Sequence, residues 1–498
     1  MKGLWTAGVW AGVLVGVIAM GANVPAQAEE PQGAARPHVL PTAGSLPAPG
    51  GMIKQGEQPL TGTALEDLLL EKGLITMDDW IRIKAEEERK FSERAVVAEF
   101  TGSPRWYERL TMFGYGMLRY NRLGQANGQL RTYHDASVGD KNSGAQPGFF
   151  FRRIRWVVTG QVSDHVSVFF QPDLASNVSG NTHVISMRDA YGDWNFDKNK
   201  EFRLRVGLQR VPCSFDNYQA SRVRMAIDRA DATNSCAQSE RDIGLSFMWT
   251  PKIAQARYKQ MLDYMYGPGD YGVFNVAVYN GQGLNAQEAN DDKHVGMRLS
   301  WPFELPGGRL LEVGANAMRG MFVVNNGTCT AGSTTLCSRN GSPGTSGTGN
   351  RSYRDERVNF YVYYPPQPWG FIAEYVAGHG PKRGDDGIVR TSALYGGYFQ
   401  GHYQWKYSDV GLANFYGRWQ EYHGGLKFQA GAPDNEMKEV ELGIAWQPDP
   451  QWEFTAAYTF TQRKNVFTTT PAASATAPGQ QFDNYGNLIR FQAIWFWN

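Results

Sequence analysis

From about Thr111 to the C-terminal residues, apolar positions recur every second residue, the period of a strand with one apolar and one polar face. Over Phe151–Gln161, the residues Ile154, Trp156 and Val158, continued by Val162, share one face, and Arg153, Arg155, Thr159 and Gln161 share the other. Glu201–Gln209 repeats the pattern, with Phe202, Leu204, Val206 and Leu208 against Arg203, Arg205, Gly207 and Gln209. Further along, Val440, Leu442, Ile444 and Trp446 oppose Glu439, Glu441 and Gly443. Trp452, Phe454, Ala456, Tyr458 and Phe460 oppose Glu453, Thr455 and Thr459. In the last strand, Ile489, Phe491, Ala493, Trp495 and Trp497 alternate with Arg490 and Gln492.

A soluble sandwich also alternates, so the content of each face decides. The apolar face is aromatic at strand ends, as an interfacial girdle requires, and the other face carries Arg, Glu, Gln and Thr, as a watery lumen requires. Connections alternate between tight, as at Gln447–Pro450, and long, as over Thr461–Phe482. The pattern predicts an all-β fold, a transmembrane antiparallel β-barrel over residues 101–498. At about 24 residues per strand and turn, it has about 16 strands, with 18 the alternative.

Ahead of it the pattern differs. A short positive start, the apolar run Leu4–Ala22 and the small-x-small site Ala26-Gln27-Ala28 predict a cleavable signal peptide over 1–28. Residues 29–62 read as a Pro/Gly/Ala-rich linker. Capping boxes at Thr63–Glu66 and Thr76–Asp79 predict two short helices, a periplasmic extension over 63–100 that could meet a periplasmic partner or pack on its own barrel.

Composition removes several classes. With 13% aromatic residues and a net charge of +1, the chain is neither disordered nor a general binder of nucleic acid. Beyond the N-terminus no run of about 18 apolar residues would span a bilayer as a helix. None of the eight histidines, His38, His134, His165, His183, His294, His379, His402 and His423, stands in an H-E-x-x-H or G-x-S-x-G setting. Asp291-Asp292 and Asp385-Asp386 lack EF-hand spacing. No enzyme, cofactor or metal site is expected. The four cysteines fall into two groups by proximity, Cys213 with Cys236 and Cys329 with Cys337, and are candidates for disulfides of an oxidising compartment whose connectivity the spacing leaves open. The neutral total also hides a division. Glu29–Glu99 holds 13 acids and 8 bases, leaving 40 bases against 35 acids in Phe100–Asn498.

A series of blocks then carries a resemblance: Phe151-Arg-Arg-Ile-Arg155, Gly160-Gln-Val162, Val168-Phe-Phe-Gln-Pro-Asp173, Arg188-Asp-Ala-Tyr191, Leu204–Pro212, Ser239-Glu-Arg-Asp-Ile-Gly244 and Val276–Gly281. In this order the chain resembles the phosphate-selective porin O and P family. The resemblance implies an outer-membrane channel of 16 strands, usually a homotrimer set in outer-membrane lipid. It passes small anionic solutes such as phosphate along a ladder of arginines. Carried onto this sequence, the wall candidates are Arg153, Arg155, Arg203 and Arg205. Arg210, Arg222, Arg224, Arg229 and Arg241 follow at strand ends or in the next loop. Guanidinium forks can replace the hydration an anion sheds at a constriction, and several weak sites in series let it leave again. The competing expectation is that interior arginines pair with interior acids and order the wall. The nearby Asp189, Asp228, Asp231 and Asp242 would dilute anion preference in that way. The helical extension is not needed by a channel, and the alternative function is a non-selective or structural barrel that tethers envelope components through it.

Overall fold

The computed structural model describes residues 106–126, 148–178, 181–262, 266–324, 352–384, 389–429, 432–464 and 483–497. The expected signal peptide, linker and helical extension, and Cys329 and Cys337, lie outside them. The described residues form sixteen strands. These are β1 (Leu110–Ala126), β2 (Gly148–Gln161), β3 (Val166–Val178), β4 (Asn181–Asn195), β5 (Phe202–Arg210), β6 (Arg241–Trp249), β7 (Phe274–Tyr279) and β8 (His294–Leu305), then β9 (Arg309–Val323), β10 (Ser352–Tyr364), β11 (Trp369–Arg383), β12 (Val389–Lys406), β13 (Leu412–Gly425), β14 (Asp434–Asp449), β15 (Trp452–Lys464) and β16 (Asp483–Trp497). Each pairs antiparallel with its sequence neighbours, and β1 pairs with β16, so the sheet is a closed barrel without a free edge. Closure matters in lipid, where an unpaired backbone N–H or C=O has no water to turn to.

The period of two becomes two surfaces. Outward, Phe202, Val206, Ile243, Leu245, Leu299, Phe360, Trp446 and Phe491 are exposed. Inward, Arg205, Ser246, Arg298, Asn359, Glu441 and Arg490 are buried. At the β1–β16 seam two outward indoles lie across glycines. A Cβ at Gly116 would come within 2.0 Å of the Trp495 ring, and one at Gly114 within 2.5 Å of Trp497. Glycine on β1 is therefore what lets the tryptophans of β16 flatten over the closing strand.

Two irregularities change which side chains enter the barrel. In the β1–β2 register Met117 opposes Arg153 and Leu118 opposes Phe151, so Arg152 is an extra residue. Between β3 and β4, Gln171 opposes Asp189 and Pro172 opposes Met187, which makes Arg188 extra. A bulge re-aims a side chain, and strict alternation would have turned Arg152 and Arg188 to lipid. Instead Arg152 is buried 4.0 Å from the Asp228 carboxylate, and Arg188 lies 3.5 Å from Asp173.

Candidate functional site

The barrel interior is occupied by connections that enter from both ends. The first, Val211–Glu240, joins β5 to β6 and contains the single-turn helices α1 (Phe215–Tyr218) and α2 (Asp231–Asn234). Nearly every residue of it is buried. Ser214 caps α1, its hydroxyl accepting from the Asn217 N–H at 3.0 Å. The Asp216 carboxylate accepts from the Ala230 N–H at 2.9 Å and the Thr233 hydroxyl at 3.0 Å, tying the two halves of the segment together. The base is closed by a Cys213–Cys236 disulfide, set among Val211, Ala237, Ala277, Tyr279 and Met318.

The far wall holds the segment by its backbone and its acids. Glu374 on β11 accepts the N–H groups of Phe215 at 2.6 Å and Asp216 at 3.1 Å. The Asp228 carboxylate takes Arg119 of β1 at 3.0 Å and Arg490 of β16 at 2.5 Å, while Arg418 of β13 donates to its carbonyl at 2.5 Å. Asp231 pairs with Arg463 of β15 at 2.9 Å. Arg357 donates to the Ser235 hydroxyl at 2.7 Å and Lys427 to the Cys236 carbonyl at 2.6 Å.

The second connection joins β6 to β7 at the opposite end and begins with helix α3 (Lys252–Leu262). Its buried face, Ala254, Tyr258 and Met261, packs in one cluster with Phe215, Tyr361, Tyr363, Ile372 and Tyr398, and the Tyr258 hydroxyl lies 2.8 Å from that of Ser300. The two connections meet inside. Gln219 donates to the Tyr266 carbonyl at 2.6 Å, and the Tyr218 and Tyr271 rings are 4.3 Å apart.

The nine arginines picked out by sequence divide into two groups here. Five face carboxylates. Arg155 pairs with Asp173 at 2.9 Å, Arg203 with Asp270 at 2.8 Å, and Arg205 with Asp193 through two bonds of 2.7 and 2.9 Å. Arg229 reaches Glu240 at 2.7 Å, and Arg241 reaches both Glu240 and Asp189 at 2.7 and 2.9 Å. Burial alone would raise the Glu240 carboxyl, but Arg229 and Arg241 outweigh it and hold it well below the usual range.

Among the described residues the other four meet no carboxylate. Arg210 donates to the carbonyls of Asn217 and Tyr218, and Arg224 to those of Ala226 and Ile227, with its Nη1 left without a partner. Arg153 is 95% buried, with an Nε that has no partner. The Arg222 guanidinium lies 5.8 Å from the Phe113 ring. Burial, with help from the neighbouring Arg210 charge, lowers the Arg222 pKa.

Arg119, Arg152, Arg188, Arg418, Arg463 and Arg490 also face inward, and sequence reasoning passed over them as site residues. The signal for Arg490 was present in the alternation with Ile489 and Phe491. Of the acids, Asp189, Asp228 and Asp231 do take arginines, as expected of ordering pairs. Asp242 instead accepts the N–H groups of Ile243, Gly281 and Gly283 at 2.7, 2.7 and 2.9 Å.

The disulfide closes a span with a sequence separation of 23. By loop-closure entropy that is worth about 3 kcal/mol. The double substitution Cys213→Ser/Cys236→Ser should therefore lower the urea midpoint of the folded barrel. Reductant should do the same to the unsubstituted protein. An unchanged midpoint in both would show that the clip is energetically idle.

The model of a family described as phosphate-selective porin O and P matches residues 125–480. No curated protein matches the sequence. Among solved structures, the outer membrane channel DcaP of Acinetobacter baumannii aligns with a TM-score of 0.46 and 11% identity, over 78% of this chain and 96% of that one. OmpT of Vibrio cholerae, in its trimer form, aligns at 0.43 and 13%, over 78% and 99%. An anion-selective porin from Comamonas acidovorans aligns at 0.40 and 10%, over 78% and 99%.

Proposed function

The chain belongs to the phosphate-selective porin O and P family of outer-membrane porins, and we propose that it passes small anions at a constriction governed by Arg153, Arg210, Arg222 and Arg224. One observation supports this reading above the rest. The other arginines of the predicted set each form an ion pair with an acid, whereas among the described residues these four form none, Arg153 and Arg210 feeling Glu240 only at longer range. A field of one sign inside a low-dielectric wall concentrates counter-ions. Guanidinium N–H groups not committed to a carboxylate can take over part of an anion's hydration as it passes. The paired arginines supply order, the unpaired ones selectivity. Homotrimeric assembly belongs to the same reading, on the strength of family membership.

The test is charge removal at the unpaired positions. In planar bilayers under a KCl gradient, Arg153→Gln/Arg222→Gln should reduce the chloride-to-potassium permeability ratio by on the order of tenfold. A ratio that stays where it was would overturn the assignment. Equal permeability in the unsubstituted protein would overturn anion preference itself.

A further inference from the structure

We propose that the preferred solutes of this channel are planar aromatic carboxylates, an inference that rests on the anion reading above. Interior side chains that keep solvent exposure gather on one side of the barrel. Phe169, Arg188, Tyr191 and Arg203 on β3–β5 are half-buried, as are Arg222 and Tyr271 on the two inward connections. The facing residues of β13–β16, such as Arg418, Glu441, Thr459 and Arg490, are buried.

That side is built of rings and guanidiniums together. Phe169 and Tyr191 stack at 5.2 Å with an interplanar angle of 7°, and the Arg205 guanidinium lies 3.7 Å from the centre of the Tyr191 ring. Tyr271 carries Arg210 at 5.8 Å, and Arg222 lies as far from Phe113. The register sets the rings in order. Phe169 pairs with Tyr191, Tyr191 with Gly207, Gly207 with Gly244, and Gly244 with Tyr279. One row of the inner wall therefore runs ring, ring, two positions without side chains, and ring. Three strand spacings separate Tyr191 from Tyr279, about 14 Å, and both glycines keep some exposure.

The face of an aromatic ring is electron-rich. A compact, hydrated oxyanion gains from each guanidinium but loses at each ring face beside it. A benzoate-like solute gains from both, placing its carboxylate on the N–H groups of Arg222, which forms no ion pair among the described residues, and its ring in offset contact with the neighbouring Tyr271 or with Phe169. A saturated carboxylate of equal charge and similar size gains only from the charge and its apolar area. The discriminating comparison is therefore ring against cyclohexane.

Reversal potentials of the full-length protein in planar bilayers should be measured under gradients of sodium benzoate and of sodium cyclohexanecarboxylate. Benzoate should be the more permeant by about 2- to 10-fold, the worth of one aromatic pair. Tyr271→Leu should lower that ratio toward one. Should that variant fail to assemble, Phe169→Leu tests the same point from the strand wall. Equal permeability of the two carboxylates in the unsubstituted protein overturns the proposal. A chloride-over-potassium preference in the same membranes would then leave the anion reading standing, and its absence would remove both.

Discussion

Replacing Ser214–Ser235 by a short Gly-Ser bridge between Cys213 and Cys236 should raise single-channel conductance about 2- to 5-fold, the cross-section of a 16-stranded barrel being wide enough for an open aqueous channel. The segment contributes Arg222 and Arg224, two of the four guanidiniums without a carboxylate, and it fills the side of the barrel lined by β10–β16. The wall does not depend on it for its ladder. β5 and β6 pair continuously from Phe202–Trp249 to Arg210–Arg241, and the ends of the segment are already brought together by the disulfide. Water entering the vacated space would solvate Arg418, Arg463 and Arg490. Wider conductance with anion preference intact would place selectivity on the wall arginines alone. Unchanged conductance would mean that this segment does not restrict the passage.

The barrel was legible in sequence because its cause is a two-residue period, written into strands such as Phe202–Gln209 and Trp452–Phe460. Inside and outside differ there in residue type, so each strand states its own orientation. The family followed from ordered blocks in β2–β7. What periodicity could not carry is any residue whose direction depends on a break in the period. Arg152 and Arg188 are interior because one strand holds an extra residue relative to its neighbour, a property of pairing that neither strand states alone. The same limit applies to Val211–Glu240. Its arginines could be named, but the wall residues that hold its backbone and its acids are Glu374, Gln420, Arg463 and Arg490, between 158 and 262 residues away. Whether an arginine meets an acid is decided by which residues strand pairing and the folded connections set beside it, as Asp173 beside Arg155 and Asp270 beside Arg203. That is why nine candidates of one chemical type became two groups, and why the competing expectation of ordering pairs holds for Arg155, Arg203, Arg205, Arg229 and Arg241 without excluding a selective role for the remainder.

Asp228→Ala should be the most destabilising single substitution in the inward segment, costing about 3–5 kcal/mol. Its carboxylate accepts Arg119 through 3.0 and 3.1 Å contacts and Arg490 at 2.5 Å, and both guanidiniums are 1% exposed. Removing the acid takes away the carboxylate that Arg119 and Arg490 share, while Arg490 keeps Glu441 and Arg119 keeps Gln492. A buried pair contributes little beyond a well-packed apolar substitute, but stranding the charged partners is costly. Asp228→Asn separates charge from shape: it keeps an oxygen to accept from Arg119 and loses the negative charge, so its cost should fall between those of the unsubstituted protein and alanine. The two variants should also differ in where the damage goes. The strand ladders do not involve Asp228, so the lost energy should appear as release of the Ile227–Asp231 stretch from β13–β16 and β1, seen as noisier, larger conductance and faster hydrogen exchange at Ile227, whose N–H is held by Glu441 at 3.2 Å. Urea titration of refolding gives the free-energy difference, and bilayer recordings give the release. A midpoint for Asp228→Ala within about 0.5 kcal/mol of the unsubstituted protein, in the range of ordinary surface changes, would mean that the other contacts of Arg119 and Arg490, Glu441 among them, suffice without the segment. The interior would then not be held closed by its charges.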